Sequence, residues 1–574
     1  MKKNRILAVL CLAMLMAVLT VTACRGGDDQ PDVPVATPTP APATPEPEQP
    51  GTDDEADEPD FVLPAIMNPI GTLPIVNEPV TFSVFAGIPP GGDNYLNLSA
   101  LWFEERTGIN FEWVQVPNAD REARLNLMLA TGDVPDVITG DVGPHARVYF
   151  YAQQGLFRPI TNYIDPFAPE MQNLFAVHPN VHDDMIMPDG EIYAFTAVDD
   201  CFHCSMFQKM WIYTPWLDEV GLPMPATTDE FFEVMVAFRD LNPDIVPFMG
   251  AQGSHNTIDV LITPFIPNNG GNRLLVNDGV IIPAFSQPEW REAMMFLNRM
   301  YTEGLLATES FVQDRAGLRV LLDNPDDNIV GVFPALWLGN VMTVTVAEQE
   351  DRWNSFRMVP PLSSPVSDAT AVYFPFFGNN RAAITTNLPE EMMPIAVRWL
   401  DNFYTIESAL IQVQGIEDLT WRFSDPGEVG IHGGPALWER VVPPEGTTNV
   451  SMGAGFPNFR TSDFRLSERA NRSIVEQETL LYDMSMIQLP FRQPLEQVLP
   501  VLIFDESQSL EIVDLSLAIN SFVAESIARF AVGDMCPDND WDWYIQQLEI
   551  MDLARYIRLH QQAFDERVAR LANR

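Results

Sequence analysis

The feature that most narrows the fold is an alternation of two periodicities across residues 79 to 141. "PVTFSVFAGI" puts Val80, Phe82 and Val84 on one face at every second residue, the repeat of a half-buried strand. A helical stretch, "NLSALWFEERTG", follows and stops at Gly108. A second alternating run, "INFEWVQVP", and a second helical stretch, "ADREARLNLMLATG", lead to the short apolar strand in "VPDVITGD". Strand, helix, strand, helix, strand predicts an α/β chain with a parallel sheet, because parallel neighbours need a crossover and a helix supplies it. Such sheets bind ligands in the crevice beyond the carboxyl ends of their strands, which points to Thr139, Gly140 and Asp141.

The amino terminus is of another kind. Lys2, Lys3 and Arg5 precede an apolar stretch from Ile6 to Leu19, too short for a comfortable membrane span and suited to the core of an export signal. Val21-Thr22-Ala23-Cys24 resembles the bacterial lipobox, so residues 1–23 are expected to leave as a lipoprotein signal peptide and Cys24 to become the lipidated first residue. A signal cleaved elsewhere, with an incidental cysteine, is the competing reading. Two acyl chains on Cys24 would anchor the chain stably to the extracellular face of a bacterial cell membrane. Residues 24–61 are Pro, Thr, Ala, Asp and Glu with almost nothing large and apolar, a composition expected to form a disordered tether.

The net charge is −46, and it becomes more negative once the three leader cations are removed. That balance argues against nucleic acid or anionic membrane surfaces as partners. Lysine occurs only at 2, 3 and 209, so the body draws its cations from arginine. Of the five cysteines, Cys201 and Cys204 stand in a Cys-x-x-Cys spacing around His203. A disulfide suits an oxidising compartment; free thiols, redox chemistry and a zinc site remain alternatives, the last lacking a second ligand cluster.

Farther along, Thr227 with Glu230 forms a capping box ahead of the apolar stripe Phe231, Val234, Met235 and Phe238, and Ser286 with Glu289 repeats the pattern before Trp290, Met294 and Leu297. The segment 389 to 415 carries an apolar face through Met392, Ala396, Trp399, Phe403 and Leu410, and the last hundred residues read as helical. No fixed-period repeat is visible.

Segments spread over the body, among them "FEERTGINFEWVQVP", "RLNLMLATGDVPDVI", "QQGLFRPITNYIDPFAPEM", "MPDGEIYAF", "TPWLDEVGLPMPATTDEFFEVMVAFRDLNP" and "RWLDNFYTIESALIQVQGIEDLTW", together resemble the extracellular solute-binding proteins of bacterial ABC importers, most closely the large oligosaccharide-binding lipoproteins of Gram-positive bacteria. The resemblance implies a two-lobed, periplasmic-binding-protein-like α/β fold with a hinge, an inter-lobe ligand cleft and a helix-rich carboxyl-terminal part. It places lobe 1 at 78–198 plus 330–388 and lobe 2 at 199–329 plus 389–574. It further implies capture of a carbohydrate, delivery to the transmembrane permease subunits of an importer, a monomer, and no catalysis or cofactor. Many relatives carry an oxygen-rich calcium loop after the helix that here ends "AFRDLNPD"; this chain reads Asn242-Pro243-Asp244-Ile245-Val246-Pro247, so no metal is expected there. Asp538, Asp540, Asp542 and Glu549 have an EF-hand rhythm without the turn glycine and fit acids at a helix start better.

Clefts of this kind diverge with their ligands, so position alone nominates contacts: Thr139, Asp141 and His145 after the third strand, Asp199 and Asp200 near the lobe crossing, Trp211 just beyond it, Trp337 in "VFPALWLGN", and Glu417 with Trp421 in "GIEDLTW". A tryptophan serves a sugar face or a core equally well, and the paired acids fit a solvated loop as readily as a ligand. Two rival functions stand beside capture for transport: a secreted carbohydrate hydrolase using two of the many carboxylates, and a receptor presenting its ligand to a membrane sensor kinase. No H-E-x-x-H, G-x-S-x-G or P-loop motif occurs.

Overall fold

The computed structural model describes residues 63–572 apart from 89–91, 94–95, 254–256, 325–327, 344–351, 375–378, 472–476 and 505. Cys24, the signal and the tether lie outside these residues. Fourteen strands follow in chain order: β1 (Val80–Ile88), β2 (Ile109–Pro117), β3 (Val137–Thr139), β4 (Phe195–Asp199), β5 (Met210–Tyr213), β6 (Val246–Phe248), β7 (Leu274–Asn277), β8 (Val280–Pro283), β9 (Val330–Pro334), β10 (Phe356–Val359), β11 (Asn379–Ile384), β12 (Trp421–Phe423), β13 (Trp438–Arg440) and β14 (Asn458–Arg460). Two main sheets hold ten of them, and β7-β8 and β12-β13 form two two-stranded sheets. One main sheet has six strands in the order β14-β4-β11-β3-β1-β2; the other has four in the order β10-β5-β9-β6.

The opening alternation folds as its periodicity dictates. β1 and β2 run parallel in register from Val80 opposite Ile109 to Ile88 opposite Pro117, and β3 joins on the other side of β1. The helix Leu98–Thr107 supplies the crossover, starting where the Asn97 side chain accepts the Ala100 N–H and ending at Gly108, whose φ of 76° favours glycine. In the six-stranded sheet only β11 runs against its neighbours, β3 and β4.

The lobe boundaries differ from the sequence expectation in two places. The resemblance implies that 330–388 returns to lobe 1, yet β9 and β10 pair with β5 in the four-stranded sheet and only β11 joins the six-stranded one. The resemblance implies that 389–574 belongs to lobe 2, yet the helices Met393–Asp401 and Ile406–Gln414, together with Trp421, Trp438 and β14, pack into the first core. The physical reason is aromatic fit: Trp399 lies 5.6 Å from Phe82 and 5.4 Å from Phe111, and Phe403 lies 4.4 Å from Phe103 and stacks on Phe456. Arg398, on the same helix, donates to the carbonyls of Asn68, Pro69 and Thr72 and so pins the amino-terminal arm.

The second core is built on the four-stranded sheet. The capping box at Thr227 and Glu230 is formed, and Phe231, Val234, Met235 and Phe238 are buried under the sheet. The box expected at Ser286 is not: the helix starts with Pro288 at its first turn, and the Ser286 hydroxyl donates to the Pro283 carbonyl. Pro288 supplies a preset helical φ there and makes a serine cap unnecessary. The helices Glu506–Val532, Pro537–Ile550 and Leu553–Ala572 cover this core. The stretch Glu511–Val532 is apolar and long enough to cross a bilayer, but Ile519, Val523 and Phe530 are fully buried and Phe530 packs against Tyr544.

Candidate functional site: a gap bounded by two sheet edges

Strand direction locates the site. β4 leaves the six-stranded sheet at its carboxyl end and leads through 200–209 into the amino end of β5. β10 leads through 360–378 into the amino end of β11, which lies at that same edge because β11 runs antiparallel to β4. On the four-stranded sheet, the amino end of β5 shares an edge with the carboxyl ends of β9, β10 and β6. The edge holding Thr139–Asp141 therefore faces the chain crossings, as does the edge holding Pro334–Trp337.

The crossings are tied to one another. The Phe374 N–H donates to the Ser205 carbonyl at 2.7 Å, the Ala371 N–H to the Phe491 carbonyl at 2.8 Å, and the Gln493 N–H to the Ala371 carbonyl at 2.9 Å. The Gln488 amide donates to the Gln208 carbonyl at 2.7 Å. Cys201 and Cys204 form a disulfide inside the first crossing. Lys209, fully buried, donates to the carbonyls of Met206 at 2.6 Å and His203 at 3.1 Å, and burial lowers its pKa to about 7. Cys201, His203 and Cys204 crowd their donor atoms within 4.8 Å, but with both sulfurs in a disulfide they offer no thiolate to a metal.

Around this knot stand aromatic side chains that sequence reasoning did not nominate. Phe207 and Phe374 meet edge to face at 6.3 Å, Phe202 and Tyr482 lie 5.7 Å apart, and the Arg492 guanidinium sits 4.8 Å over the Tyr373 ring. Phe374 is 47% exposed. Burial raises the Tyr373 hydroxyl pKa, Asp200 adding to the shift and Arg492 opposing it, so acid, phenol and guanidinium share one neighbourhood. The available signal was the aromatic-rich run "AVYFPFFG".

The nominated residues divide. Thr139 is buried, its hydroxyl donating to the Phe85 carbonyl at 2.7 Å, so it ties β3 to β1. Asp141 is exposed at the edge, its carboxylate accepting the Gly143 N–H at 3.0 Å. His145 opens the helix His145–Gln153, and loss of water, reinforced by nearby Arg567, lowers its pKa to about 4. Asp199 closes β4 opposite Arg460. Asp200 is half-buried and holds Ser462, accepting the backbone N–H at 3.3 Å on its carboxylate and the hydroxyl at 3.0 Å on its carbonyl. Trp337 is half-buried at the second edge, edge-on to Trp353 at 5.7 Å, and its indole N–H has no partner among the described residues. Glu417 is exposed in a loop ahead of β12.

Two nominations are corrected. Trp211 is 1% exposed and Trp421 0%, their indole N–H groups satisfied by the carbonyls of Ala335 at 2.8 Å and Gly415 at 2.9 Å. Neither presents a face to a solute; both are core, because a buried indole with its N–H paired leaves nothing to offer.

Arg121 braces this edge, donating to the carbonyls of Thr139 at 2.6 Å and Asp141 at 2.8 Å. Gly140, between them, has φ of 91°, and a Cβ there would sit 2.7 Å from Arg121 Nη2, so only glycine fits.

The model of the bacterial extracellular solute-binding proteins matches residues 90–316. The chain is 25% identical over 368 residues to the fructooligosaccharide ABC transporter substrate-binding protein FusA of Streptococcus pneumoniae serotype 4, covering 62% of this chain and 65% of FusA. Over residues 90–316 the chain is similar to this solute-binding family. Lipoprotein LipO of Bacillus subtilis is 28% identical over 39% of this chain and 44% of its own. The chain thus spans less than two thirds of the length of the curated relatives it matches. Among solved structures, FusA in complex with kestose superposes with a TM-score of 0.66 at 21% identity, covering 85% of this chain and all of that one. An extracellular solute-binding protein from Bifidobacterium longum subsp. infantis superposes at 0.71 and 16% identity, covering 85% and 98%. The likeness to these solved structures shows a two-lobed α/β fold for this chain.

Proposed function

We propose that the protein is a lipid-anchored extracellular receptor that captures an oligosaccharide between its lobes, leaves it chemically unchanged and delivers it to the permease of an ABC importer. The observation that carries this reading is the meeting of two sheet edges at the chain crossings, where Phe207 packs on Phe374 and Tyr373 stands near Arg492 and Asp200. Aromatic faces stack on the apolar faces of sugar rings, and carboxylates and amides accept and donate to hydroxyls, so the mixture matches a carbohydrate. Kinship with FusA, whose name gives fructooligosaccharides, supports the same class of ligand.

Anchoring through Cys24 belongs to this proposal, the lipobox-like sequence being its support. Replacing Cys24 with Ala is expected to move the protein from the detergent phase to the aqueous phase. For the function, a thermal-shift screen of mono- and oligosaccharides is expected to find a ligand that raises the melting temperature, since binding at a hundred times Kd adds about 2.7 kcal/mol. Appearance of shortened products in place of stabilisation would refute capture without chemistry.

A further inference from the structure

Arg381 occupies an unusual place. β11 pairs Asn380 with Thr196 and then Ala382 with Phe195, so Arg381 is the extra residue of a bulge, a device that re-aims a side chain. On the other flank Ala382 faces Thr139, which sets Arg381 level with Gly140, the glycine whose missing Cβ leaves room for the Arg121 guanidinium. Two cations therefore flank one glycine at the gap edge of the six-stranded sheet, close enough for Arg381 to act on Arg121 electrostatically. Nε of each is buried with no hydrogen-bond partner among the described residues.

The local acids do not answer them. Asp141 attracts Arg121 but spends an oxygen on the Gly143 N–H, and Glu122 is paired with Arg147 at 2.5 Å. Three arginines thus stand against two carboxylates, in a chain where acids outnumber cations by 79 to 33. A buried donor without an acceptor costs free energy until one arrives, and guanidinium forks match planar oxyanions.

Resting on the reading of this gap as the saccharide site, we infer that Arg381, with Arg121, is a subsite for an anionic substituent of the captured sugar, making acidic oligosaccharides the ligand class. The shared chemistry is an oxyanion on a sugar ring, carried either by a uronate carboxylate or by a sulfate ester.

Titration calorimetry on the mature chain, with trigalacturonate, a sulfated galactan oligosaccharide and neutral oligosaccharides of equal length, tests this. Arg381→Gln is compared with wild type, and its melting temperature checks that it folds. The expected result is tighter binding of one acidic class than of the neutral sugars, and a loss of about tenfold or more for that class alone in Arg381→Gln; which acidic arm responds identifies the oxyanion. Should Arg381→Gln fail to fold, Arg381→Lys carries the test, with a several-fold loss confined to the acidic ligand because a point charge replaces the fork. Tighter binding of neutral sugars, or acidic binding indifferent to either variant, would overturn the subsite while leaving saccharide capture intact. Binding of none of the three classes would overturn the reading of the gap and the subsite with it.

Discussion

Arg567, on a helix that covers the four-stranded sheet, places its guanidinium 2.5 Å from the carboxylate of Asp184, on the helix Pro179–Met185 of the six-stranded lobe. Both side chains are buried. The pair joins the two cores at a point separate from the chain crossings. Burial already raises the Asp184 pKa to about 6 against the pull of Arg567, so removing Arg567 drives the buried carboxyl neutral; Arg567→Met is expected to destabilise the protein by about 3 to 5 kcal/mol, and adding Asp184→Asn should recover part of that loss. Denaturant unfolding of the two variants measures both values.

His145 lies beside the same pair, and its pKa is about 4 where an exposed imidazole titrates near 6.5. The unfolded chain takes up this proton first as pH falls, so between about 6.5 and 4 the unfolded state binds more protons and His145 makes the fold less stable. Relative to wild type, His145→Gln should therefore gain stability as pH falls through that window, the raised pKa values of buried Asp184 and Asp401 acting in the opposite sense in both proteins. A variant whose pH profile matches wild type would show that the imidazole is not held neutral.

The disulfide closes a loop of only a few residues, since Cys201 and Cys204 are three apart. Chain-entropy reasoning gives such a short loop about 2 kcal/mol. The double variant Cys201→Ser, Cys204→Ser is therefore expected to fold, with a modest drop in melting temperature. Its larger effect should fall on ligand affinity, because the loop it clips is a crossing between the lobes and carries the Lys209 cage.

Phe374 tests the aromatic rim. Being 47% exposed, it contributes little to the core, so Phe374→Ala should leave the melting temperature of the free protein nearly unchanged. If it stacks on a sugar ring, saccharide affinity should fall about tenfold, as loss of one aromatic contact does. Calorimetry on the variant reads this directly.

Much of the fold was legible because local period decides it: β1 to β3 and their crossovers fall where alternation and helical spacing put them, and the Thr227 box closes as written. Sheet membership was not legible between 330 and 466, since a strand's sequence does not record which of two sheets it pairs with. Trp211 and Trp421 were ambiguous for a chemical reason, an indole being as good in a core as against a sugar. Asp200 lies at a chain crossing, whereas Trp337 follows β9 with no return to the six-stranded sheet before β11; Arg381 was invisible, because a bulge arises from pairing register and leaves no mark in the sequence. Tyr373 and Phe374 carried a signal in "AVYFPFFG" that position-based nomination passed over.

The most direct test is an equilibrium titration of the mature chain with defined oligosaccharides, the ligand being recovered and weighed by mass spectrometry afterwards. Saturable binding of one molecule per chain, with the sugar returned at its original mass, is expected. A sugar returned cleaved, or no saturable binding by any saccharide of the panel, would contradict capture and release between two lobes.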